Sequence, residues 1–188
     1  MQRFHQILFS VSLVALCWFG MMAVHELGHV AGAVVTGGTI QRVILYPLTI
    51  SRTDVDPNPA PGIVVWLGPI VGSVLPLLFL AFRWSNVALK KSLAFFAGFC
   101  LIANGAYIAI GSFDGVGDCG EMLRTGTPIW VMIAFGAVAI SGGLLIWHRL
   151  GTVRQFLSNP KVANRRLAYV TAGALCLLLL FETAFSPR

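Results

Sequence analysis

ILFSVSLVALCWFGMMAVHELGHVAGAVV, residues 7–35, carries a single acidic or basic side chain, Glu26, with His25 before it and His29 after it. At ~1.5 Å per helical residue a run of this length crosses a hydrocarbon core of ~30 Å. With Arg3 ahead of apolar Ile7 to Ala23, the beginning superficially resembles a signal peptide. The apolar character continues through the histidines to Val35, however, so a retained first helix is expected.

The rest of the chain repeats the pattern. Apolar segments recur at 61–82, 92–113, 128–148 and 167–185, so that with 6–36 the 188 residues hold five candidate spans. Hydrophobic residues make up 57% and charged residues 11%, and the mean hydropathy is +0.82, far from a domain with a polar shell. Residues Thr39 to Thr53 differ. They are rich in β-branched side chains and run into Asp54, Asp56, Pro57, Asn58, Pro59 and Pro61, which reads as a short strand or hairpin followed by a turn. The expected fold is an all-α polytopic membrane protein: one domain over 1–188, about five transmembrane helices, and a short β-hairpin or edge strand after the first.

The net charge of +6 does not signal nucleic acid, because the basic residues sit in short segments between apolar runs with no aromatic-interleaved surface around them. With five spans, Arg3, Arg83, Lys90, Lys91, Arg149, Arg154, Lys161, Arg165 and Arg166 all fall on the amino-terminal side, with no acidic residue beside them. The other side holds Arg42, Arg52, Arg124 and Arg188 together with Asp54, Asp56, Asp114, Asp118, Glu121 and Glu182. That bias places the amino terminus in the cytoplasm. Cys17, Cys100 and Cys176 fall in apolar segments and only Cys119 in a polar loop, so no disulfide framework is expected. Gly68-Pro69-Ile70-Val71-Gly72 has the small-xxx-small spacing of close helix packing, with Pro69 able to bend its span.

His25-Glu26-Leu27-Gly28-His29 matches H-E-x-x-H. Histidines four apart stand one turn apart on one helix face, so both imidazoles can reach one zinc ion. Glu26, offset by about 100°, can take a proton from a metal-bound water without being a ligand. Charged groups in an apolar helix cost about 2–3 kcal/mol or more each to insert, so the three need a compensating role. The simpler alternative is a set of interhelical hydrogen bonds. A catalytic zinc commonly has three protein ligands, and the acids of Gly111 to Leu123, just after the third span, fall on the same membrane side as the end of the first.

Here the chain resembles the site-2 protease family of intramembrane zinc proteases, in particular its small members made of little beyond the catalytic core. His25 to His29 matches that family's zinc-binding helix. Asp118-Cys119-Gly120-Glu121-Met122-Leu123 looks like its D-G-G-x-x-L motif, and Gly68-Pro69 is similar to a Gly-Pro often found between the two. Cys119 stands where glycine is usual, the Asn-x-x-Pro that leads into the motif is lacking, and Asp114-Gly115 offers a second alignment. The resemblance covers residues 15–125. It implies one Zn²⁺ held by His25, His29 and Asp118, with Asp114 the alternative third ligand, and Glu26 as the catalytic acid/base. It divides the chain into a three-span catalytic core, 1–125, and two accessory spans, 126–188. Cys119 is expected to be a packed small residue rather than a thiolate ligand.

The function implied is hydrolysis of membrane-protein substrates within or beside their spans, with the Thr39–Thr53 segment pairing with an unfolded stretch as an added strand. The implied setting is the plasma membrane of a prokaryote. No loop exceeds about 25 residues, below the ~50 of a folded domain, so substrate selection falls to the core or to a regulatory membrane partner. Family members generally turn the end of the zinc-binding helix toward the cytoplasm, whereas the charge bias turns it outward. A transporter or metal sensor is the rival reading, although it calls for acids or histidines in several spans. Asn104 and Tyr107 lie three apart in the third span, where a buried amide can orient a ligand, contact a substrate backbone or only hydrogen-bond a neighbouring helix, the last being expected; His5 and His148 are expected to be interfacial residues on the far side.

Overall fold

The long first helix, α1 (Gln2–Thr36), forms because nothing in its sequence interrupts the helical ladder: it has no proline and few β-branched runs. The chain is described here by a computed structural model that covers residues 2–159 and 161–186, so Arg188 of the charge count lies outside the described residues. After α1 come two antiparallel strands, β1 (Ile40–Ile44) and β2 (Arg52–Val55), with Val43 opposite Thr53 and Ile44 opposite Arg52. The helices α2 (Pro61–Ala81), α3 (Val87–Asp114), α4 (Asp118–Arg124), α5 (Ile129–Leu150), α6 (Val153–Ser158) and α7 (Arg165–Phe185) follow.

Among the described residues five helices, α1, α2, α3, α5 and α7, are long and apolar enough to cross a membrane. Their outer faces are apolar as well: Val35 is 79% exposed, Val138 76% and Leu177 70%, as suits helices packed against lipid. The strand expectation resolves into a hairpin with the turn at its middle. The third span begins five residues earlier than its apolar run, because Asn86 caps it by accepting from the Ala88 and Leu89 amides, so Lys90 and Lys91 lie inside the helix near its start. The short helices α4 and α6 have no counterpart in the hydropathy pattern.

Side-chain contacts define the two ends of the bundle. At the amino-terminal end Gln6 donates to the Ser158 carbonyl, His5 meets Tyr169 edge-on, and Phe9, Leu13, Phe95, Phe156 and Leu167 form one buried cluster. At the other end the Leu45 amide donates to Ser186 Oγ, which ties the hairpin to the end of α7. Helices α3 and α5 approach closely through glycine: a Cβ on Gly136 would lie 2.6 Å from the Gly105 carbonyl oxygen, and one on Gly143 2.6 Å from that of Gly98. All four cysteines are free thiols.

Candidate metal centre

His25 and His29 project from α1 toward α2 and α3, and α2 makes room for them with a glycine. A Cβ on Gly68 would lie 2.3 Å from His29 Cε1, 2.5 Å from His29 Nε2 and 2.9 Å from His25 Nε2. On α1 itself Gly28 and Gly32 press against the α2 backbone, where added Cβ atoms would lie 2.2 Å from the Leu67 carbonyl oxygen and 2.9 Å from the Val64 Cα. Gly72, the second small residue of the sequence motif, faces Asn104 instead, with its own Cβ position 2.9 Å from both amide heteroatoms. The glycine spacing therefore serves the two histidines and the amide behind one of them, as well as helix packing.

The third residue comes from α4. Gly115, left-handed at φ 61°, ends α3, and Gly117 at φ 62° turns the chain back so that Asp118 opens α4. Asp118 Oδ2 lies 2.8 Å from His25 Nε2 and 3.4 Å from His29 Nε2. Among the described residues His25, His29 and Asp118 are the one group of three such side chains whose ligand atoms converge, all within 4.8 Å of one another. Asp114, the alternative, is exposed at the end of α3 and is not in the group.

The hydrogen bonds behind the imidazoles settle which nitrogen faces the centre. Asn104 Nδ2 donates to the Cys100 carbonyl at 2.9 Å, so its Oδ1 must be the atom 2.6 Å from His25 Nδ1, and Nδ1 is the donor. His29 Nδ1 likewise donates to the Val64 carbonyl at 2.9 Å. With both protons committed outward, two Nε2 lone pairs and a carboxylate oxygen point at one place. Such a cluster is repulsive until a cation, proton or metal, enters it. When protons fill the cluster and the Nε2 atoms carry them, burial still pushes the Asp118 carboxyl up, yet hydrogen bonds from the protonated His25 and His29 outweigh it and hold the group well below the usual carboxylate range. Two nitrogens and one oxygen form a donor set that a metal ion can take up, with all three atoms within 4.8 Å of one another.

Glu26 is 3% exposed and is not part of the converging group; its Oε2 accepts from Thr53 Oγ1 of β2 at 2.8 Å. Both belong to a cavity of about 1370 Å³ that also takes in the two histidines and Asp118. Its lining mixes chemistry on both sides: Trp18, Met21, Met22 and Asn104 come from the helices, and Leu48, Ile50, Arg52 and Asp54 from the hairpin. Residues of β2 line it and those of β1 do not, so the strand edge that β1 leaves free belongs to the cavity wall. Cys119 is buried with its Sγ 3.5 Å from the Tyr107 carbonyl oxygen and lies outside the converging group, as a packed thiol does.

Two participants escape the sequence reading, the Thr53 hydroxyl on Glu26 and the Val64 carbonyl behind His29; Tyr107, singled out in the sequence, accepts the Asp118 amide of α4 at its hydroxyl at 3.3 Å. Asn104 does bond a neighbouring helix, and what it bonds there is His25.

No known family, curated protein or solved structure matches the chain. The geometry stands by itself.

Proposed function

We propose that this chain is an intramembrane zinc metalloprotease of the site-2 protease kind, which hydrolyses membrane proteins within or beside their transmembrane segments. One observation carries the reading: the converging His25, His29 and Asp118 share a cavity with a buried carboxylate, Glu26, that is not among them. A site built only to bind or pass an ion would draw the fourth side chain into the ligand set. A path for ions would also need further acids or histidines in other spans, and among the described residues no second such group converges.

When bound, zinc would polarise the scissile carbonyl and lower the pKa of a bound water toward ~7. The chain's own residues do the rest. Glu26 takes a proton from the attacking water as the new C–O bond forms, and delivers it to the amide nitrogen as the C–N bond breaks. Thr53, by donating to one oxygen of Glu26, fixes the orientation of that carboxylate. A substrate helix must open before its carbonyls are attackable, and the free edge of β2 offers hydrogen bonds to the opened stretch. The cavity's mixed lining, with Trp18, Met21, Leu48 and Ile50 beside Arg52 and Asp54, suits a segment with both apolar and polar side chains. A plasma membrane, and a membrane-protein substrate that a partner helps to select, belong to the same proposal.

The test is zinc content and cleavage of a detergent-solubilised transmembrane peptide by wild type and Glu26→Gln. About one zinc in both proteins with cleavage lost in the variant supports the proposal. Continued cleavage by Glu26→Gln sinks it.

A further inference from the structure

We propose that Tyr107 is a second catalytic residue, its phenolic O–H donating a hydrogen bond to the scissile carbonyl oxygen as negative charge develops on it. The proposal rests on the protease reading above. Tyr107 lies one turn beyond Asn104 on α3, so the two face the same side of that helix. Asn104 holds the back of the His25 imidazole, and the Tyr107 ring stands edge-on to the same imidazole, with centroids 5.9 Å apart and planes at 69°. Tyr107 lines the cavity and is 43% exposed, in contrast to the buried Asn104 at 1%.

The hydroxyl is fixed and still has something to give. Its oxygen accepts the backbone N–H of Asp118, which sets it beside a proposed metal ligand. Among the described residues no protein group accepts its own proton. A phenol that accepts one hydrogen bond becomes a better donor for the next. Gly117 protects the arrangement: it sits at φ 62°, and a Cβ there would lie 2.8 Å from the hydroxyl. Preorganised donors aimed at developing charge are among the larger contributions to acyl-group hydrolysis, and tyrosine is one of the side chains so used. A phenol donates without becoming charged, which suits a partly apolar lining.

The competing role is structural, with Tyr107 merely propping the Asp118 loop, and Tyr107→Phe separates the two because it removes only the oxygen. Zinc content, steady-state cleavage of a transmembrane peptide and the affinity of a phosphinic peptide, whose tetrahedral oxyanion mimics the charged state, are read together. The expected result is about one zinc, an unchanged KM, a kcat lower by about 10²–10³-fold, and phosphinic-peptide affinity weakened by a similar factor. A thiol zinc ligand without that oxyanion is expected to bind as to wild type. Loss of zinc in the variant overturns the proposal in favour of the structural role. Wild-type kcat and analogue affinity overturn it while leaving the protease reading intact. If wild type binds zinc but neither cleaves nor binds the analogue, the protease reading fails and this proposal with it.

Discussion

Gly68→Ala is a one-carbon perturbation aimed at the point where α2 meets the two imidazoles. The new methyl would lie 2.3 Å from His29 Cε1 and 2.5 Å from His29 Nε2, against the 3.4 Å at which ordinary contact begins, so the ring must retreat by about 1 Å. Metal sites tolerate ~0.2 Å in ligand distance, so a shift of that size removes His29 as a ligand or drags the helices apart. Overpacking of this kind costs about 1–3 kcal/mol of stability, and losing ligand orientation costs about 10–100-fold in metal affinity, with loss of the ligand itself costing more. The assay is zinc per chain after dialysis against a competing chelator, with thermal unfolding of the metal-free protein alongside. Gly142→Ala is the control, because the nearest atom to its new Cβ, in Leu101, is 3.8 Å away. Gly68→Ala should lose zinc at chelator concentrations that leave Gly142→Ala loaded. Equal retention in both would refute the packing that brings α2 against the histidines.

Asp118→Ala should lose zinc and activity together, whereas Asp114→Ala keeps both, measured by metal analysis and peptide cleavage. Full metal in Asp118→Ala would return the choice to Asp114. Thr53→Val keeps the shape of the side chain but removes the donor to Glu26; hydrogen bonds to charged groups are worth about 1.5–3 kcal/mol, so kcat should fall about tenfold or more with zinc content unchanged. Asn104→Leu leaves His25 Nδ1 without its acceptor, and zinc affinity measured by chelator competition should drop about 10–100-fold. Reporter fusions in the 83–91 and 149–166 loops should report a cytoplasmic location for both, as the basic residues there require; an external location for both would favour the orientation usual in site-2 proteases.

Much of this molecule is legible in its sequence because the bilayer enforces a simple rule. A span must be apolar and helical, so runs such as 61–82 announce themselves, and the motif His25 to His29 stands out by being polar where polarity is costly. Asp118 could be preferred over Asp114 but not separated from it by spacing alone. The two are four apart, and what divides them is the pair of left-handed turns at Gly115 and Gly117, which end one helix and start another. Thr53 was hidden for a different reason: its contact with Glu26 depends on the hairpin register, with Val43 opposite Thr53, which alternation in a four-residue strand does not fix. The acceptor of His29 is a backbone carbonyl, which no residue type reveals. Asn104 was visible as a buried amide, and its partner only became apparent once α1 and α3 were set side by side.

The central claim is that His25, His29 and Asp118 hold one metal ion while Glu26 stays free of it. X-ray absorption at the zinc edge of the purified, zinc-loaded protein reads this directly. The account predicts a four-coordinate ion with two histidine nitrogens at about 2.0–2.1 Å, oxygen at about 2.0–2.2 Å and no sulfur, unchanged in Glu26→Gln. A sulfur neighbour at about 2.3 Å, or a first shell that changes when Glu26 is replaced, would contradict it.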